Sequence, residues 1–299
     1  MASIAERAVA IVLAQFLPTA PPATIAEVLE GLVPGLKGET DLREVAEVVE
    51  DELGDFRARL RAHWNDFPGT TGEYCPFEFS KLDDEVIQGC AWIFEDDTDD
   101  VRAQRTALAG QFSPLLEAIH HLDPDEFEKL GAGVLKLIGV SSPTATKPSQ
   151  DEGIDFFGRL QMSEFLLQNH TLPNVERQLS VWVVGQAKRY VKHPVGTAHI
   201  RELIGTCELA RAGVWPIQET AYSVAIPIKR FDPIYALMIT CGQFSEPAWR
   251  ILRTGGVIGM DGPMLAQLLA LAGVATGDDG KAFDEQKFHA WIAAQKRMT

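Results

Sequence analysis

The stretch SVWVVGQAKRYV, Ser180 to Val191, decides how the rest of the chain is read. Val181 to Val184, with Trp182 among them, form an apolar run of buried-strand character, yet the run continues into Gln186, Ala187 and Lys188. Strand side chains alternate, so Trp182, Val184, Gln186 and Lys188 share one face while Val183, Gly185 and Ala187 share the other. Burying an unpaired ammonium costs roughly several kcal/mol. A core strand that ends in an amide and a cation therefore calls for an anion or a metal-bound group beside them.

Upstream, GIDFFGRL reads as a second strand, with Asp155, Phe157 and Arg159 on one face and Ile154 and Phe156 on the other. Pairing of the two strands would bring an acid, an amide and an ammonium together. That trio suits phosphodiester hydrolysis. Asp155 offers a hard oxygen to Mg²⁺ or Mn²⁺, and the Gln186 side-chain carbonyl and the Ala187 backbone carbonyl complete the shell. Lys188 can orient or deprotonate the attacking water. The plain alternative is a sheet edge with a snorkelling lysine. Gly153 is either a turn glycine or room for substrate to approach closely.

Around this pair the pattern alternates between helix and strand. LDPDEFEKLGAGVLKLIGV carries a capping box at Asp123 and Glu126 with Pro124 at the first helical position. Phe127, Leu130, Val134, Leu137 and Ile138 make its apolar stripe, and Gly139 ends it. SSPTATKPSQDE reads as a polar loop. After the Gln186 strand come the helix TAHIRELIGTCELARAG, with Ile200, Leu203, Ile204 and Cys207 on one face, and the strands AYSVAIPI and YALMITCG. SEPAWRILRTG is a helix capped by Ser245, GVIGMD a last strand and GPMLAQLLALAG a last helix. The fold expected for residues 121–299 is an α/β sandwich around a mixed sheet.

These pieces resemble, in order, the Mrr-type, modification-dependent restriction endonucleases of the PD-(D/E)xK nuclease superfamily. The resemblance runs from about Asp123 to Gly273 through FEKLGAGVLKLIG, DEGIDFFG, VVGQAKRY, VGTAHIRELIG, ALMITCGQFSEPA and GVIGMDGPMLAQLL. It implies a restriction-endonuclease-like domain with Asp155, Gln186 and Lys188 as the catalytic triad and Glu128 on the first helix as an accessory acid. The long gap between Asp155 and Gln186 implies an extended hairpin or insertion from Gln161 to Arg177. Cys241 stands where such proteins commonly carry a hydroxyl residue.

The rest of the composition bounds this reading. The chain has 299 residues, long enough for two domains, and is 46% hydrophobic and 23% charged, the profile of an ordinary globular protein. No apolar run is long enough to cross a bilayer, which predicts a cytoplasmic protein. Four scattered cysteines, Cys75, Cys90, Cys207 and Cys241, suggest buried free thiols rather than a zinc site or a disulfide framework. A net charge of -15 argues at first against nucleic acid. Its distribution weakens the objection: residues 1–120 hold 23 acidic and 9 basic residues, and residues 121–299 hold 19 and 18. Lys188, Arg189, Lys192, His193, His199 and Arg201 cluster around the decisive strand. Arg189, Lys192 and Arg201 are the expected substrate contacts. Arg201 and Glu202 could instead form a helical surface pair.

Residues 1–120 read as a mainly helical, acidic domain. Its helices are SIAERAVAIVLAQFL, TIAEVLEGLV and TDLREVAEVVEDEL running into FRARLRAHW. Thr40 or Asp41 caps the third, whose stripe is Leu42, Val45, Val48 and Val49. DFPGTTGEYCPF is a loop, and FEDDTDD, Phe94 to Asp100, a solvated acidic one. No basic recognition helix is visible, so oligomerisation or regulation through a partner is the expected role, with target recognition as the alternative. The functional expectation is a Mg²⁺- or Mn²⁺-dependent endonuclease acting on double-stranded foreign or modified DNA as a homodimer or higher oligomer, in host defence against phage. The competing expectation is a non-cleaving module of the same fold that binds DNA or a protein partner.

Overall fold

Ser180–Lys188 forms strand β6 at the centre of a five-stranded mixed sheet, and nearly every residue of its first half is buried. The computed structural model describes residues 3–38, 41–66, 75–80, 83–95, 97–146, 153–161, 180–212, 228–278 and 280–298. They fall into two compact units, Met1–Ser113 with Asp278–Ala282, and Pro114–Gly277 with Phe283–Thr299.

In the second unit the sheet order is β4 (Ser141–Ala145), β5 (Phe156–Gln161), β6, β7 (Ile234–Thr240) and β8 (Ile258–Met260). β4, β5 and β6 are mutually antiparallel, whereas β6, β7 and β8 run parallel. Parallel neighbours need a crossover, and the helix α6 (Thr197–Arg211) lies in the connection from β6 to β7. Ile200, Leu203, Cys207 and Ala210 of α6 pack with Trp182 and Val184 of β6 and with Ala248 and Leu252 of α7 (Glu246–Gly255). A strand covered on both faces becomes continuously apolar, which is why Val181 to Val184 show no polar alternation.

The other face receives α5 (Pro124–Leu137), whose Asp123–Glu126 capping box forms as expected. The ring of Phe156 fills a slot between α5 and β6. A Cβ at Gly131 would stand 2.3 Å from the Phe156 ring, and one at Gly185 2.0 Å from it. Gly139 takes φ 91, and its amide and that of Val140 bond back to Lys136 and Leu135 in a Schellman ending. The apolar stripe is shifted from expectation: Leu135 is buried while Ile138 is 43% exposed beyond the helix end. Helix α8 (Gly262–Leu271) is capped by Asp261, and α7 by Ser245.

In this unit β4 and the C-terminal helix with its closing segment were not legible beforehand. The start of the expected polar loop after Gly139 is strand β4, which tolerates Pro143 at a register irregularity between Ser141 and Thr144. Helix α9 (Glu285–Ala293) and the following segment close the unit, with Arg297 bridged in parallel to Ala145 of β4. The expected strand AYSVAIPI, apart from Ile228, and nearly all of the excursion from Gln161 to Arg177 lie outside the described residues.

The first unit holds α1 (Ile4–Gln15), α2 (Ile25–Lys37) and α3 (Leu42–Asp66), packed through Ala8, Val12, Leu29, Val33, Phe56 and Leu60. Asp41 caps α3 by accepting from the Arg43 and Glu44 amides. Val45 and Val48 are buried, but Leu42 is 86% exposed because it belongs to the first turn, before α3 meets its neighbours. A small antiparallel sheet of β1 (Ala23–Thr24), β3 (Val86–Gly89) and β2 (Phe77–Phe79) completes the packing, with Phe77 and Ile87 in the same core. The start of α4 (Asp99–His121), which reaches into the second unit, follows the acidic run. That run is not uniformly solvated: the Asp97 side chain is 2% exposed and pairs with Arg105, which also meets Glu78 at 2.7 Å. An acid survives burial there because a guanidinium comes with it.

Candidate active site

Where β5 begins and β6 ends, the antiparallel register places Phe156 opposite Gly185, so Asp155 and Gln186 are the next residues outward. Asp155 precedes β5 by one residue. Its amide donates to Gly185 O at 2.8 Å, and its Oδ2 accepts from the Ala187 amide at 2.7 Å. The carboxylate is thereby held against the backbone between Gln186 and Lys188. A charge-assisted bond from a backbone amide fixes such a group more firmly than a neutral one.

The turn before Asp155 is built by Gly153 and Thr146. Gly153 has φ +76, a conformation that side-chain-bearing residues rarely adopt. A Cβ there would point to Thr206 Oγ1 at 3.0 Å and Gln186 Nε2 at 3.7 Å, so the space is taken by protein and Gly153 is a turn residue. Thr146, 3% exposed, donates its amide to Asp155 O and its hydroxyl to Ile154 O, both at 2.8 Å.

Gln186 is 2% exposed, and its Oε1 is buried with no hydrogen-bond partner among the described residues. Leaving a buried acceptor unmet costs about 1–3 kcal/mol. Lys188, the last residue of β6, is half-buried and lies on the same face as Gln186. Its register partner on β7 is Thr240, fully buried, whose Oγ1 accepts from the Gly242 amide. A hydroxyl is thus present next to Cys241. Burial pushes the Cys241 thiol up, with Arg189 partly opposing the shift.

The basic residues after β6 occupy a different situation. Arg189, Lys192 and His193 are exposed in the turn, and Arg189 Nη2 donates to His120 O at 3.3 Å. Arg201 is exposed on α6. His199 is half-buried, in contact with the Tyr190 hydroxyl at 3.4 Å and Glu202 at 3.7 Å. Glu128 pairs with Arg297 Nη2 at 2.8 Å. Sequence reasoning missed Thr146 and Arg297. Thr146 sat in a stretch read as loop, and Arg297 belongs to no motif. Among the described residues no cluster of three or more His, Cys, Asp or Glu side chains could by itself hold a metal ion. No described helix is long and apolar enough to cross a membrane.

Residues 119–215, about a third of the chain, match the Mrr catalytic family of restriction endonucleases. The solved structure of the DNA modification-dependent restriction endonuclease AspBHI aligns with a TM-score of 0.40 and 19% identity, covering 61% of this chain and 39% of that one. The MspJI restriction endonuclease in complex with a 27-mer oligonucleotide aligns with a TM-score of 0.38 and 17% identity, covering 68% of this chain and 39% of that one. The chain thus spans well under half the length of either enzyme. No curated protein matches it. The matched stretch carries the α5 helix, the Asp155 turn and the Gln186 strand, and over those residues the chain is similar to the catalytic domain of the Mrr restriction endonucleases.

Proposed function

We propose that the protein is a metal-dependent DNA endonuclease acting on foreign or modified DNA, with Asp155, Gln186 and Lys188 as its reacting set. The observation that carries this reading is the bond from the Ala187 amide to Asp155 Oδ2, which holds the acid on the strand segment flanked by Gln186 and Lys188. The donor set fits a hard divalent cation. Mg²⁺ is commonly held by one or two carboxylates, with waters and substrate phosphate filling the other positions, and does not need an all-protein cage. Asp155 and the orphaned Gln186 Oε1 would hold it, with the Ala187 carbonyl as a third oxygen. When bound, the ion supplies charge neutralisation at the scissile phosphate.

The chain's own residues do the rest. Lys188 places its ammonium beside the attacking water and favours the hydroxide form by its charge. Ala187 keeps the Asp155 carboxylate from rotating away. Arg189, Lys192 and Arg201, all exposed, contact the DNA backbone. Two copies of the chain serve the two strands of a duplex. Residues 1–120 serve regulation or assembly, and residues 121–299 cleavage in the cytoplasm as part of defence against phage.

Incubating purified protein with methylated and unmethylated plasmid, with Mg²⁺, with Mn²⁺ and with chelator, tests the proposal. Cleavage of one plasmid type that requires the cation is expected. Intact DNA in every arm, with DNA binding retained, would replace the nuclease by a binding module.

A further inference from the structure

Arg297 makes more contacts than a surface arginine has reason to make. Its side chain is 16% exposed. Nη1 donates to Thr146 O at 2.8 Å, and Nη2 reaches Asp125 O at 3.1 Å, Asp125 Oδ1 at 3.0 Å and Glu128 Oε2 at 2.8 Å. The backbone on either side is paired as well: the Ala145 amide donates to Lys296 O, and the Met298 amide to Ala145 O, both at 2.9 Å. The segment 296–298 therefore extends the sheet beside β4, and its one guanidinium spans from the first turn of α5 to Thr146.

Thr146 is the residue that sets the Asp155 turn. Its amide and hydroxyl take the carbonyls of Asp155 and Ile154, and its own carbonyl is the one that Arg297 takes. A continuous series of hydrogen bonds thus runs from the Glu128 and Asp125 carboxylates through Arg297 and Thr146 to Asp155, and from Asp155 Oδ2 to the Ala187 amide. Arginine suits this role because its planar fork holds several acceptors in a rigid arrangement, which a lysine cannot do.

We propose that Arg297 is a positioning residue for Asp155: through Thr146 it fixes the turn that presents the carboxylate to a divalent cation, and Glu128 acts on the site through Arg297. The inference rests on the reading of Asp155 as the metal-binding acid. Groups hydrogen-bonded to a metal-ligating residue typically change metal affinity about 10- to 100-fold when lost, and Arg297 holds such a group, Thr146, so an effect at the low end of that range is expected.

The test uses the full chain with Arg297→Ala, Arg297→Lys and Thr146→Val. Amide hydrogen exchange at Ala187 and Mn²⁺ affinity by calorimetry are read beside plasmid cleavage. In Arg297→Ala, exchange at Ala187 should rise and Mn²⁺ should bind about tenfold more weakly or worse, while protection of the β6–β7 amides from Val183 to Gly185 stays as in the parent. Arg297→Lys should recover part of the Mn²⁺ affinity. Thr146→Val removes only the hydroxyl link, so it gives the same signature even if Arg297→Ala fails to fold. Ala187 exchange and Mn²⁺ affinity within twofold of the parent in a folded Arg297→Ala, or, should that variant not fold, in both Arg297→Lys and Thr146→Val, would overturn the proposal. If the parent neither cleaves nor binds Mn²⁺, the nuclease reading fails, and the exchange at Ala187 still decides whether Arg297 sets the turn.

Discussion

Asp155 Oδ2 and the Ala187 amide nitrogen lie 2.7 Å apart, and this bond ties the end of one antiparallel strand to the start of another through a side chain instead of the ladder. The acid is held on the backbone between Gln186 and Lys188. The consequences can be read by substitution.

Asp155→Asn keeps the volume and removes the charge, so cation-dependent cleavage should fall below detection while the fold, followed by circular dichroism, survives. Lys188→Ala should slow cleavage by about a hundredfold or more, the scale for losing a positioned acid-base or electrostatic group. DNA binding measured in Ca²⁺ should be retained in both. Cleavage by Lys188→Ala within a few-fold of the parent would make the residue a snorkelling edge lysine.

Gln186→Glu adds a negative ligand at a position 2% exposed. Without a cation, burial raises the new carboxyl's folded pKa above its unfolded value. Its contribution to stability is then present below the unfolded pKa and is lost as pH rises, so the variant should melt lower at pH 8 than at pH 5 relative to the parent. Mn²⁺ should remove that difference. Melting curves that are parallel at both pH values, with and without Mn²⁺, would mean that Gln186 does not face a cation site.

In the first unit, Arg105→Ala leaves the buried Asp97 carboxylate and half-buried Glu78 without their guanidinium. Removing one partner of a buried pair costs about 3–5 kcal/mol, and denaturant unfolding should show a loss near the low end because Glu78 is still partly solvated. Arg102→Ala, beside exposed α4 residues, should cost far less.

Burial pushes the Cys75 thiol up to about 12 and the Cys207 thiol up to about 11. Both shifts are upward from the ordinary 9.0, so the stability they represent is complete below about pH 9 and is lost as pH rises through 11 to 12. Native protein at pH 7.5 should leave both thiols unmodified by a bulky disulfide reagent, whereas the half-buried Cys90 reacts first. Rapid labelling of Cys207 without unfolding would contradict its place in the sheet core.

Much of the second unit was legible because its signals are local. The capping box at Asp123 and Glu126, the glycine stop at Gly139 and the serine cap of Ser245 each satisfy backbone groups within three or four residues, so spacing alone reveals them. The Gln186–Lys188 alternation belongs to the same class, since a strand's two-residue period needs no partner to be read. The acidic run at Phe94 to Asp100 misled for the opposite reason: the partner of Asp97 is Arg105, and solvation was assumed where an ion pair forms across a turn.

The sequence by itself determined most helices of both units and the strands around Gln186, together with the resemblance over residues 119–215, because propensity, capping and hydrophobic period act over a few residues. Only the tertiary structure decided that Asp155 lies just before its strand, that its carboxylate is taken by the Ala187 amide, and that Glu128 is joined to Arg297, 169 positions away. Those outcomes depend on which backbone amides and guanidinium donors meet a given carboxylate once the sheet is assembled. No local period in the chain encodes such meetings.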